Sequence, residues 1–189
     1  MTTASTSTLT VAHPLTLWRA FAVVAGALLV AVGAQVAVPL PGTPVPITFQ
    51  VAAVLLVGGL LGPRLGAASL VLYLAMGIGG LPVFAPTGLP GLARLLGPTG
   101  GYLLAMPLAA GLTGLLVAGG SSWRRIALGV VAGGVVIHMG GVAQLGALGL
   151  DTSDAIRFGS LPFWMSDVLK LTFAGLLIYR IGPRLKALR

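Results

Sequence analysis

The chain reads as long apolar stretches separated by short polar or proline-rich breaks. No sustained in–out alternation marks a half-buried strand. The apolar stretches fall at about 19–35, 48–61, 65–81, 99–118, 126–148 and 161–181. A helix needs ~20 apolar residues to cross a bilayer, so each stretch predicts a span, the second a short one. Between the first two lies VPLPGTPVPITFQ, where Pro39, Pro41, Pro44 and Pro46 exclude helix. Each proline removes a backbone donor and clashes with the preceding turn. GPRLG and GGSSWRR are tight polar turns, PVFAPTGLPGLARLLGP is a long loop with room for a short helix at 92–96, and DTSDAIRFGS is a loop before the last stretch. GPTGGY, at 97–102, lacks the lysine and hydroxyl of a phosphate-binding loop and reads as a turn entering the fourth stretch. The opening MTTASTSTLTVAHPLTL has neither the basic start nor the cleavage site of a secretory signal. The expected organisation is a loose tail over 1–17 and a single membrane domain over 18–189.

Composition narrows this further. Of 189 residues, 57% are hydrophobic and 7% charged, where soluble domains carry roughly 25% charged residues. A soluble fold could not cover its surface with so few charges, and disorder requires low hydrophobicity. The expected fold class is therefore an all-α integral membrane protein, with no length to spare for a soluble catalytic or nucleotide-binding domain. Cysteine is absent, which removes disulfides and thiolate chemistry. The net charge of +8 would point to nucleic acid in a soluble protein, but here the basic residues sit at the ends of the stretches. Arg19, Arg64, Arg124, Arg125, Arg180, Arg184, Lys186 and Arg189 fall on one set of ends; Arg94 and Arg157 fall on the other. The positive-inside rule then predicts both termini cytoplasmic, the loops near 36–47, 82–98 and 149–160 outside, and six transmembrane helices. Trp18, Trp123 and Trp164 lie near span ends, as an interfacial belt requires.

The outer loops are longer than the inner ones, rich in proline, and apolar enough to fold back over a cavity or to dip into the headgroups. Asp167 and Lys170 carry the strongest chemical signal. A helix starting near Leu161 places them ~9–14 Å inside the last span, where a lone charge costs ~2.5–3.5 kcal/mol to insert. Their spacing of three puts both on one face. They either clamp the bundle internally or face a cavity, where a carboxylate and an ammonium suit a ligand with both N–H donors and carbonyl acceptors. His138 either lines that cavity or takes part in proton transfer, or is a neutral histidine bonded to a neighbouring helix. Gln35 and Gln50 flank the first outer loop and either cap helices or reach a ligand; Gln144 is similar. Arg94 meets an anionic group or is a solvated loop charge. Tyr73, Tyr102 and Phe163 stack on a ligand or simply pack. No catalytic or metal-binding motif is present, so neither catalysis nor a metal is expected.

Four stretches together carry a family resemblance: VGAQVAVPLPGTPVPITFQ (32–50), YLAMGIGGLPVFA (73–85), LLGPTGGYL (95–103) and PFWMSDVLK (162–170). The sequence resembles the BioY-type S components, the biotin-binding subunits of energy-coupling factor vitamin transporters. The resemblance implies six helices, a biotin pocket near the outer face, and ligand binding by Asp167 and Lys170. It implies no cofactor, with biotin as the transported ligand. It implies as partners a transmembrane coupling protein and two cytoplasmic ATPases, in the cell membrane of a prokaryote. Ala27 and Ala31 occupy the places where small residues of the first helix contact the coupling protein in that family. Ser166 stands where the family often has glycine, and Pro86 and Thr87 where many members have small or amide residues. Biotin's ureido ring has two N–H donors and one carbonyl, which Asp167 and Lys170 complement. Its apolar parts call for a lining such as Val83, Phe84, Tyr102 and Phe163; Gln50 is a further candidate contact, and Lys170 or Arg94 would meet the carboxylate. Three other readings stay open on the residues alone: a solitary proton- or ion-coupled carrier, an intramembrane enzyme using Ser166 and His138, and a structural subunit in which Asp167 and Lys170 are only a clamp.

Overall fold

The computed structural model describes residues 14–120 and 122–187. The tail expected over 1–17 lies outside them except for 14–17, which form the first turn of helix α1 (Pro14–Gln35). A two-stranded antiparallel hairpin follows, β1 (Ala37–Val38) with β2 (Ile47–Thr48), pairing Ala37 with Thr48 and Val38 with Ile47. Then come α2 (Gln50–Leu61), α3 (Pro63–Ile78), the short α4 (Leu92–Leu96), α5 (Gly100–Ala118) and α6 (Trp123–Ala147). The chain ends in α7 (Thr152–Gly159), a 3₁₀ turn over Leu161–Phe163, and α8 (Trp164–Ala187).

The outward faces of the long helices are apolar, including Phe21, Leu108, Leu128 and Val168, which is the surface of a protein solvated by lipid rather than water. The chain is a mostly helical, multi-pass membrane protein. Thr16–Gln35, α5, α6 and the segment Thr152–Leu185 are each long and apolar enough to cross a bilayer. The apolar helices α2 and α3 are shorter. Eight of the residues of α2 are buried, so it serves as an interior helix with the hairpin continuing above it. Gly62 alone joins α2 to α3, at a φ of 84° that glycine adopts without strain.

Two differences from the sequence expectation stand out. The proline-rich segment is free of helix as expected, yet it folds into a hairpin. The segment DTSDAIRFGS, expected as a loop, is largely helix α7. Asp151 caps it by accepting from the Asp154 backbone N–H at 2.8 Å, and Arg157 lies in its last turn, favourable to the helix dipole.

Close helix contacts rest on glycine. Around Gly101 and Gly140, α5 and α6 approach so nearly that a Cβ on either residue would collide with the other's carbonyl oxygen. Two apolar clusters fill the interior. One includes Leu55, Val117, Ile126, Ala174 and Ile178; the other gathers Tyr73, Phe84, Tyr102, Met106, Ile137 and Phe163, and it surrounds the polar site.

Candidate functional site

The site is built where the hairpin, the 82–99 segment and the start of α8 converge. Pro162 opens the 3₁₀ turn that leads into α8, Phe163 turns inward, and Ser166 donates back to the Phe163 carbonyl at 2.9 Å. This entry sets the register that points Asp167 and Lys170 into the bundle. Asp167 is 9% and Lys170 5% exposed. Lys170 Nζ donates to Asp167 Oδ1 at 2.9 Å, and His138 Nε2, from α6, donates to Oδ2 at 2.5 Å. A buried charge persists only when paired and hydrogen-bonded, and both carboxylate oxygens meet that requirement.

Across the chamber, Gln50 at the first turn of α2 donates to the Tyr73 hydroxyl at 2.8 Å, and that hydroxyl donates to the Val83 carbonyl at 3.2 Å. Arg94 on α4 is 6% exposed and donates to the carbonyls of Ala85 and Thr87. Its Nε has no partner, and no carboxylate pairs with it among the described residues. It is thus a buried cation rather than a solvated loop charge; burial lowers its pKa from the usual value. Tyr102 donates to the Gly159 carbonyl, and Thr43 donates to the Phe158 carbonyl at 2.7 Å, so α5 and the proline-rich segment both anchor α7. Gln35 reaches the carbonyls of Pro82, Val83 and Phe84 at 3.2–3.4 Å, and Gln144 those of Leu95 and Gly97 at 3.3–3.4 Å. These two amides tether loops.

Between these groups lies a chamber with a cavity volume of about 60 Å³. It is narrow, mainly apolar and polar at a few points, as small-molecule sites are. Asp167, Lys170, Gln50 and Arg94 supply charge and hydrogen bonds, and Phe84, Tyr102 and Phe163 supply aromatic surface. The walls include Thr48, Thr99, Met106 and Ile137, which sequence reasoning missed; only Ile137 had a signal, as the neighbour of His138. Val45 and Pro46 line it from the proline-rich segment. His138 both lines the chamber and bonds a neighbouring helix, uniting the two roles weighed for it.

Two expectations are corrected. Val83 is buried but does not line the chamber; its backbone carbonyl, not its side chain, is in use. Ala27 and Ala31, expected at a partner surface, are 0% and 8% exposed and belong to the interior cluster. The outward stripe of α1 is instead Phe21, Val24, Leu28 and Val32.

Fold and site together define a multi-pass helical membrane protein with a small-molecule chamber. The BioY family model matches residues 4–187, and the chain belongs to the BioY family. Among its relatives are a probable biotin transporter BioY of Pyrococcus horikoshii, 38% identical over 153 residues, and the biotin transporter BioY of Thermotoga maritima, 39% identical over 153 residues. Each alignment covers 81% of this chain and 89% of the relative, and these relatives are named as transporters, not enzymes. The fold matches a crystal structure of the S-component for biotin from an ECF-type ABC transporter, with a TM-score of 0.81 at 24% identity over 90% of this chain and 94% of that one.

Proposed function

We propose that this chain is the biotin-capturing membrane subunit of an energy-coupling factor uptake transporter. It binds the vitamin without altering it, and ATPase subunits reached through a transmembrane coupling protein drive transport. The observation that carries the reading is the chamber in which Asp167 presents a carboxylate held by Lys170 and His138 beside an apolar wall. A ureido ring has N–H groups for Asp167 and a carbonyl for Lys170. Phe84, Tyr102 and Phe163 would enclose the fused rings, Gln50 would contact them, and Arg94, a cation without a counter-ion among the described residues, suits the carboxylate end. Six spans with both termini cytoplasmic would set this chamber toward the outer face of a prokaryotic cell membrane, and the basic residues at the opposite helix ends support that orientation. Residues 18–189 would act as one membrane domain.

The test is equilibrium binding of labelled biotin to the purified protein. Saturable binding is expected, with affinity reduced at least about tenfold by Asp167→Asn and by Lys170→Ala, the loss from removing a buried hydrogen-bonded charge. Unchanged affinity in both variants would overturn the site.

A further inference from the structure

A second cavity lies beside the chamber. It is an apolar groove open between α6 and α8, floored near Gly134 and walled by Val135, Met139, Trp164, Val168 and Leu171. Among the described residues, the only ones lining both groove and chamber are His138 and Asp167. The bond between them is therefore the partition between the ligand chamber and a lipid-facing groove. On the outer half of α8, Trp164, Met165, Val168 and Leu169 face outward, exposed at 66%, 87%, 65% and 73%, while Phe163 just before the helix, Asp167 and Lys170 face inward.

We propose that His138 is a positioning residue of the ligand site, latching α6 to α8 through Asp167 and holding that carboxylate toward the chamber. The inference rests on the biotin-binding reading above. A carboxylate can only accept, so Nε2 carries the donated hydrogen, while Nδ1 is buried without a partner. Lys170 engages Oδ1 from the same helix, three residues on, and travels with Asp167. Among the described residues, only His138 ties the carboxylate to a different helix. Its ring packs between Tyr102 and Phe163, with centroids 6.2 and 6.1 Å away, so a merely structural role would lie in that aromatic contact.

The two roles predict opposite outcomes for two variants of the full-length purified protein, read by biotin affinity and dissociation rate. His138→Phe keeps an aromatic ring and loses the donor. His138→Gln loses the ring and keeps an N–H near the Nε2 position. The latch predicts about tenfold or greater weakening with faster release for the phenylalanine variant, and affinity within about threefold of the parent for the glutamine variant. Should His138→Phe fail to fold, His138→Asn, whose amide falls short of Asp167, takes its place and is expected to lose as much. Parent-like binding by the phenylalanine variant, or equal loss in the phenylalanine and glutamine variants, overturns the latch. If the parent protein binds no biotin at all, the function proposed above fails, and the latch with it.

Discussion

Asp167 and Lys170 each offset the other's buried charge: without Lys170, Asp167 would be a buried anion held only by His138, and without Asp167, Lys170 would be a buried cation. Removing one partner of such a pair costs about 3–5 kcal/mol, whereas replacing both by apolar residues is often neutral. Asp167→Asn is therefore expected to lower the melting temperature in detergent as well as biotin affinity. The double variant Asp167→Leu with Lys170→Met is expected to melt above Asp167→Asn, because it leaves no buried charge alone, though below the parent because His138 loses its acceptor, and to bind no biotin; recovered binding would contradict a ligand role for the pair. Arg94→Lys is expected to weaken binding about tenfold, because an ammonium lacks the planar fork that spans the Ala85 and Thr87 carbonyls. Titration of labelled biotin checks both. Asp167 and Lys170 were legible in the sequence because two charges inside an apolar stretch demand a reason. The partner of His138 was not, since it lies on a helix distant in sequence; nor was the burial of Arg94, whose carbonyl partners at Ala85 and Thr87 are near in sequence but meet it only once the loop has folded.

Among the elements, the helices were legible from hydrophobic run length, and the hairpin from its prolines only as an absence of helix. Helix α7 was misread because its polar composition resembles a loop; the Asp151 cap and the acidic-to-basic order along DTSDAIR carried the signal. Hydrogen bonds from the Asp154 backbone and the Ser153 hydroxyl hold the Asp151 pKa below the ordinary carboxylate value. A depressed pKa means that the cap supports α7 above the ordinary aspartate range and is lost as pH falls through the lowered value. Asp151→Ala at fixed pH is expected to speed amide hydrogen exchange in α7, and acidification below about pH 3.9 to lower its protection relative to the intrinsic rate at that pH; unchanged exchange in the alanine variant would contradict the cap. The inward burial of Ala27 and Ala31 was also hidden, because small residues populate every face of α1. Gly140→Val is expected to lower the melting temperature by several degrees, as overpacking of about 1–3 kcal/mol does. Gly146→Ala, with open space around it, is the matched control expected to change little.

At the scale of the whole molecule, the proposed orientation rests on charge and the proposed function on the chamber. The absence of cysteine makes single introduced thiols clean reporters. In intact cells, a membrane-impermeant maleimide is expected to label Leu89→Cys, exposed in the 82–99 segment, and to label Arg124→Cys only after permeabilisation; the reverse pattern would invert the topology. The helical membrane fold class and the ion pair were readable in one dimension, whereas the chamber is a product of packing, assembled from segments as distant as Val45, Arg94, His138 and Lys170. The measurement that bears most directly on its purpose is a structure of the protein with biotin bound. The account predicts the ureido ring within hydrogen-bonding distance of Asp167 and Lys170, its rings against Tyr102 and Phe163. Biotin seated elsewhere, with those side chains still bonded only to each other and to His138, would contradict it.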